Sequence, residues 1–344
     1  MTAPASLTVD LNALAHNFHA LEALAGVPVH PVVKANAYGL GAVPVATRLM
    51  AEGARTFFVA RLAEGLALRE ALGPEPTLYV LDGCVGDAAM ALRAADLRPI
   101  LNHGEQLAAW ATAGGDCGLQ IDTGMNRLGF RLEEAPEAFP GLKLVMSHLA
   151  CADDPSEPMN LRQRDAFASV STRYPGVMRS FANSGGCFLG ADYGFDAVRP
   201  GVCLYGGGPE GRPDDRLKAV VTMTAEVLQI RDVPPGESIG YSRGFVADTP
   251  RRIATCGAGY ADGVLRSNSP QGHVWAAGAL RPILGRVSMD VIAVDVSGAE
   301  VSVGDGVELF GGNRPVDHVA SAAGTISYEV LTSIGGRVAR RYLG

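Results

Sequence analysis

The sequence predicts an α/β architecture, an N-terminal (β/α)8 barrel of the TIM type followed by a mostly antiparallel β domain. Three observations carry this. Eight short apolar, β-branched runs alternate with helical patterns through the first part of the chain. Those runs are nearly continuous in apolar residues, as strands buried on both faces are. From Lys218 the texture changes to short runs separated by Pro-Pro-Gly, Asp-Gly and Gly-Gly turns, with little helical period. The expected division is 1–217 for the barrel and 218–344 for the β domain.

In chain order, an opening helix from about Asp10 to Leu24 puts Leu11, Leu14, Phe18 and Leu21 on one face. Asp10 serves as its N-cap and Gly26 as its stop. Strands are expected at 28–34, 55–60, 77–82, 97–102, 117–122, 142–149, 178–184 and 197–206. Helical spacing falls at 42–52, 62–72, 104–113 and 160–173. An open doubly wound sheet is the competing architecture. No G-x-G-x-x-G follows the first strand and the strand count reaches eight, which favours the barrel. In the second part, strand-like runs lie at 220–230, 251–259, 273–285, 291–296 and 307–312, with one helical stretch near 316–334.

Composition narrows the function. The formal net charge of −7 and the absence of a basic run argue against a nucleic-acid binder. No apolar stretch reaches the roughly 18 residues of a membrane span, and the N-terminus lacks the pattern of a signal peptide. Six widely spaced cysteines without a C-x-x-C pair read as reduced thiols of a cytoplasmic protein, and the seven histidines show no metal-ligand spacing. No metal is expected. Of 29 basic residues only Lys34, Lys143 and Lys218 are lysines. That scarcity fits a coding bias toward arginine, yet it leaves three candidates for any chemistry that needs an amine.

Barrel enzymes carry their chemistry at the C-terminal ends of the strands. Those ends hold Lys34, Asp82, Asn102, Asp122, His148, Asn183 with Ser184, and Arg199. A lysine beside apolar walls is desolvated, which lowers its pKa and makes a nucleophilic amine available for a Schiff base. A barrel-mouth ion pair is the plainer reading of Lys34. The seventh and eighth strands end in Ser184 and in the turn Arg199-Pro200-Gly201-Val202, where barrels often cradle a phosphate. A lysine and a phosphate cradle at one mouth suggest pyridoxal phosphate.

The segment VVKANAYGLG (32–41) resembles the cofactor-lysine motif of the alanine racemases, which are fold-type-III pyridoxal-phosphate enzymes. IDTGMNRLGF (121–130), SHLACADD (147–154), VRPGVCLYG (198–206), GAGYADG (257–263), GRVSMD (285–290) and ISYEVLTSIGGRVARRY (326–342) agree in order. The resemblance implies pyridoxal 5′-phosphate bound covalently to Lys34, and interconversion of L- and D-alanine by two opposed acid/base groups. Lys34 is one, and the resemblance suggests Tyr260, from a partner subunit, as the other. Racemisation removes a Cα proton on one face and returns one on the other, so two carriers are required. A tyrosine, with a reference pKa near 10, needs positive neighbours to act as a base.

The resemblance further implies that Arg199 hydrogen-bonds the pyridine nitrogen and so disfavours transamination, because arginine keeps its proton. Tyr38, Ser184, Gly201, Val202 and Tyr328 correspond to the phosphate shell, His148 to the residue beside the ring that hydrogen-bonds Arg199, and Arg127 and Met289 to the binders of the substrate carboxylate. A head-to-tail homodimer with shared sites is implied, and a role in supplying D-alanine for peptidoglycan or in catabolising it. Many members carry a carbamylated lysine two residues before the Asp-Thr-Gly. Gln120 stands there in this chain, so either its amide oxygen orients Arg127 or an anion such as chloride fills the place. Asn126 and Ala339 stand where glycine and proline are common. A broader amino-acid or serine racemase is the alternative within the class, and a non-catalytic pyridoxal-phosphate carrier protein the alternative outside it.

Overall fold

The computed structural model describes residues 4–269 and 271–344. Contacts divide the chain into two compact units, Ala15–Leu204 and the residues through Leu14 together with Tyr205–Gly344.

In the first unit, strands Thr56–Val59, Thr77–Val80, Arg98–Leu101, Cys117–Asp122, Leu142–Met146 and Met178–Ser180 pair in parallel in that order. The two remaining members join through single parallel bridges, Val32 to Phe58, Val29 to Val198 and Ala197 to Ser180, which return the sheet on itself. These two are not continuous strands. Pro28, Pro31 and Pro200 have no N–H to give to the ladder, so His30 N–H reaches Val198 O at 2.8 Å, Val32 N–H reaches Pro200 O at 3.0 Å and Val33 N–H reaches Phe58 O at 2.9 Å. The extended run expected over 197–206 accordingly ends at the proline and becomes a tight 3-10 turn at Val202–Tyr205.

Leu78, Val80, Ile100, Leu119, Ile121, Leu144 and Val145 are fully buried. Each contributes about 1.5–3 kcal/mol by leaving water. Helices Ala42–Ala51, Leu62–Leu72, Gly104–Ala113 and Met159–Ser171 cover the expected segments, and a further short helix, Ala88–Ala94, follows the third strand. The opening helix runs Leu11–Ala25. The Asp10 carboxylate accepts the N–H groups of Asn12 and Ala13 at 2.8 and 2.9 Å, the geometry of an N-cap. Gly26, at φ +67, ends it.

The second unit is built on the long strand Val221–Val233, which pairs antiparallel with Ala5–Asp10, Gly306–Phe310 and Arg251–Cys256. His273–Ala276 and Ala279–Leu284 form a hairpin, and Ile292–Asp295 joins its outer strand to Arg251–Cys256. The expected boundary grouped residues 1–217 together. Strand pairing instead puts Ala5–Asp10 in this sheet, where it also pairs in parallel with Ala339–Leu343. Its alternation of buried and half-buried residues suits a sheet with one wet face. The helical stretch near 316–334 is two helices, Val316–Ala323 and Ser327–Thr332, broken at Gly324 with φ +69.

Candidate active site

Lys34 leaves the first barrel strand into an unusual turn. Ala35, Asn36, Ala37 and Tyr38 all adopt the left-handed conformation, with φ between 51 and 56. Each such residue costs about 1–2 kcal/mol, so the surroundings must hold the turn. They do so through side chains. Glu64 accepts the Ala35 N–H at 2.7 Å, and its other oxygen accepts the N–H groups of Ala60 and Arg61 at 2.8 and 3.1 Å. Asn36 Oδ1 accepts the Ala42 N–H at 2.8 Å. The outcome is a fixed Cα for Lys34 and a buried phenol at Tyr38.

The Lys34 amine makes no hydrogen bond among the described residues. Burial lowers its pKa, Arg127 lowers it further, and Glu64 and Asp82 oppose the shift. Arg127 is exposed on the loop after the fifth strand and has no hydrogen-bond or ion-pair partner among the described residues. That loop is shaped by Asp122, whose carboxylate accepts the N–H groups of Gly124, Met125 and Asn126 at 2.8–2.9 Å. Asn126 sits at φ +55, which asparagine tolerates and which explains its place where glycine is common. Gln120 does not hydrogen-bond Arg127. Its Nε2 donates to Leu128 O at 2.9 Å and ties down the end of the loop.

Opposite Tyr38 lies the cradle. The buried Ser184 hydroxyl accepts the Gly201 N–H at 2.8 Å and the Cys203 N–H at 3.3 Å. Val202 opens the 3-10 turn, so its N–H precedes any acceptor within that turn. A β-carbon on Gly201 would stand 2.1 Å from the Tyr38 hydroxyl oxygen. The Tyr38 and Ser184 hydroxyls and the Val202 amide thus meet where only glycine leaves room, on a turn that the Gly201 and Cys203 amides tie to Ser184, and hydroxyl and amide donors suit a phosphate.

Arg199 is buried without a carboxylate partner among the described residues. It donates to Ser180 Oγ at 2.6 Å and to the Ser147 carbonyl at 2.5 Å, and its guanidinium lies 5.8 Å from the Phe58 ring centre. Burial pushes it down to about 9, which leaves it charged at neutral pH. The expected hydrogen bond from His148 to Arg199 is not formed. Arg199 Nη1 and Nη2 turn to Ser180 Oγ and to the Ser147 and Phe181 carbonyls, and the His148 ring lies 3.5 Å from the Asn183 amide nitrogen instead. Burial, then the positive charges of Arg199, Arg127 and Lys34, push His148 down to about 3. Three cations acting on one imidazole mark a site built for an anionic group.

Tyr260, Met289 and Tyr328 belong to the second unit, where all three are exposed. Tyr260 opens a 3-10 turn whose backbone rests on the loop carrying Met289, with Tyr260 N–H on Ser288 O and Ala261 N–H on Met289 O, both at 3.0 Å. A β-carbon on Gly259 would come within 2.3 Å of Met289 O, so the two segments meet only through glycine. Arg337 locks them, gripping Asp262 at 2.6 and 2.8 Å and Asp290 at 2.7 Å. Tyr328 lies on the helix Ser327–Thr332.

Two features escaped the sequence reading. Glu64 is legible only as a helix-start glutamate. Tyr241, 68% exposed, sits between Gly240 and Gly244 in a turn where Ser242 and Arg243 have φ of 57 and 51. This turn packs on Arg286, whose Nη1 donates to Ser242 Oγ at 3.2 Å, three residues before Met289. The pair of bracketing glycines was its one signal. Among the described residues no His/Cys/Asp/Glu cluster could hold a metal ion, and no helix is long and apolar enough to cross a membrane.

Family models described as alanine racemase, N-terminal domain, and alanine racemase, C-terminal domain, match residues 9–209 and 220–342. A catabolic alanine racemase of Mesorhizobium japonicum is 45% identical, covering 99% of this chain and 94% of that protein. An alanine racemase of Rhizobium meliloti is also 45% identical, over 100% and 98%. Among solved structures, alanine racemase from Bartonella henselae with covalently bound pyridoxal phosphate superposes with a TM-score of 0.93 at 38% identity, covering 98% of this chain and 99% of that one. The biosynthetic alanine racemase of Pseudomonas aeruginosa gives 0.92 at 35% identity, with both chains wholly covered.

Proposed function

The chain belongs to the alanine racemase family, and from that membership we propose that it interconverts L- and D-alanine with pyridoxal 5′-phosphate held on Lys34. The carrying observation is the pairing of an amine of lowered pKa with a glycine-floored cradle of hydroxyl and amide donors.

Tyr38, Ser184, Gly201, Val202 and, by the motif resemblance, Tyr328 would hold the phosphate. Arg199 would donate to the ring nitrogen, and His148, kept neutral, would flank the ring. When bound, the cofactor supplies an electron-withdrawing conjugated ring that acidifies the substrate Cα–H. Lys34 then takes or returns the Cα proton on one face, helped by burial that disfavours its charged form. Arg127 and the Met289 N–H would orient the substrate carboxylate, and the free Arg127 guanidinium is suited to a bidentate contact.

The opposite face needs a second carrier from the second unit. Tyr260 is the residue that motif resemblance suggests. A second reading gives the role to Tyr241, another exposed phenol with two arginines at its turn. A phenol acts as a base only beside cations. The Tyr241 turn contains Arg243 and packs on Arg286, and the Tyr260 turn carries Asp262 with Arg337 paired to it. Both phenols are exposed within their unit, which supports a homodimer in which each serves the barrel of the other copy.

The test uses single variants. Tyr241→Phe and Tyr260→Phe are assayed for racemisation and for Cα deuterium exchange from each enantiomer. The second carrier is the tyrosine whose loss abolishes exchange from one enantiomer and spares it from the other. Mixing that variant with Lys34→Ala then checks the shared site. Hybrids of a two-fold dimer would restore roughly a quarter of the activity, and no recovery counts against it. Loss of neither phenol affecting exchange would overturn the two-carrier proposal.

A further inference from the structure

Two buried carboxylates of the second unit have cationic partners, and a third, Asp317, is held by hydrogen bonds from Gly208 N–H and Ser327 Oγ. Asp295 pairs with Arg251 at 3.0 Å and Asp262 with Arg337. Arg314 has no such partner. It is 5% exposed, yet no carboxylate among the described residues lies within ion-pair distance, and its one side-chain hydrogen bond runs from Nη1 to Leu309 O at 3.3 Å. The nearest acid in sequence, Glu308, is spent on the turn. Its carboxylate accepts the N–H groups of Asn313 and Arg314 at 2.9 and 3.0 Å and the Asn313 amide at 2.8 Å. Four of the five guanidinium N–H donors are thus left without a protein acceptor.

Arg314 lines a cavity of about 20 Å³ whose walls include Met223, Ile283, Phe310 and Val330, with Asn268 and His273 as the other polar liners. From this geometry we propose that the cavity is a binding site for one small monovalent anion of halide size, held by the Arg314 guanidinium. A cation walled by apolar side chains is costly unless its charge is compensated. Water can fill the donors but cannot neutralise the charge. Burial lowers the Arg314 pKa only to about 10, so the group stays charged at neutral pH. Size selects the ligand, because a water needs roughly 10–15 Å³ by this measure and an amino acid or a sulfate needs far more. The site is built from the second unit alone.

The test reads chloride dependence and location together. In wild-type protein at constant ionic strength, replacing gluconate by chloride is expected to raise the melting temperature by about 2–4 °C, saturably. Sulfate is expected not to reproduce the part of this rise that Arg314 supplies. Arg314→Met, which removes the charge and keeps the bulk, is expected to lose that part. Crystals of the wild type grown in bromide are expected to show an anomalous peak in the cavity beside Arg314. The bromide crystals keep the test independent of whether the variant folds. An empty cavity in bromide, or a chloride response undiminished in Arg314→Met, overturns the proposal.

Discussion

The Tyr38 hydroxyl occupies the space that a β-carbon on Gly201 would need. Built there, that carbon would stand 2.1 Å from the phenolic oxygen and 2.7 Å from the ring carbon that bears it. Two segments far apart in sequence, the left-handed turn after Lys34 and the turn after Arg199, therefore meet at a single atom-sized gap. The gap exists because one of them is glycine.

Gly201→Ala follows directly. The added methyl must push Tyr38 away or open the Val202–Tyr205 turn, and either spoils the donor cradle. The expected result is at least a tenfold weaker hold on pyridoxal 5′-phosphate, the scale of one or two lost hydrogen bonds to a charged group. It is measured by the visible absorbance remaining after dialysis. The double variant with Tyr38→Ala should recover the backbone geometry but not the affinity.

Two imidazoles set an acid limit on stability. Burial and the Arg199 charge lower His30 from 6.5 to about 4, and burial with three cations lowers His148 from 6.5 to about 3. The unfolded chain therefore binds more protons once the pH drops below 6.5. Stability is whole above that value and is lost as the pH falls toward about 4 for His30 and about 3 for His148. Each contributes about 1.4 kcal/mol per pH unit inside its window. Denaturant midpoints at pH 7 and pH 5 should differ accordingly, and His30→Gln should reduce the difference. An unchanged slope in His30→Gln would count against a buried neutral His30.

Arg337 joins the Tyr260 turn to the Met289 loop through Asp262 and Asp290. Arg337→Met should loosen both and reduce turnover by about tenfold, the cost of misplaced groups, with cofactor affinity changed far less because Lys34, Tyr38, Ser184 and the 201–203 turn lie in the other unit. Steady-state rates and cofactor titration on the same preparation separate the two. A parallel loss of cofactor would contradict this assignment.

Gln120 bears no amine, so no carbamate forms beside Arg127. Racemisation should be insensitive to removal of dissolved CO₂ and to added bicarbonate. Gln120→Ala should instead act through the loop, since it deletes the hydrogen bond to Leu128 O, and should raise KM more than it lowers kcat. A rate restored by bicarbonate after CO₂ depletion would refute the first statement.

Much was legible in the residues themselves. Barrel alternation, the N-cap at Asp10, the switch to short β runs after Lys218 and the lysine of the first strand all follow from local chemistry, which acts within a few residues. The family followed from motifs, each of which is also local. What stayed hidden involves partners distant in sequence. No strand is expected ahead of the opening helix, and nothing in Ala5–Asp10 says that its neighbours are residues 221–233 and 339–343. Ala35–Tyr38 falls between the expected strand at 28–34 and the helical spacing at 42–52, and only Glu64 and Asn36 explain why it turns left-handed.

By itself the sequence determined the two kinds of architecture, the racemase family and the amine that can carry the cofactor, because periodicity and motif spacing are encoded along the chain. Tertiary structure alone decided that Gly201 clears a space for Tyr38, that Arg199 turns to Ser180 and Ser147 instead of His148, and that Arg314 is buried without a counter-charge. Those outcomes depend on which groups reach one another through space, and on how much water remains between them.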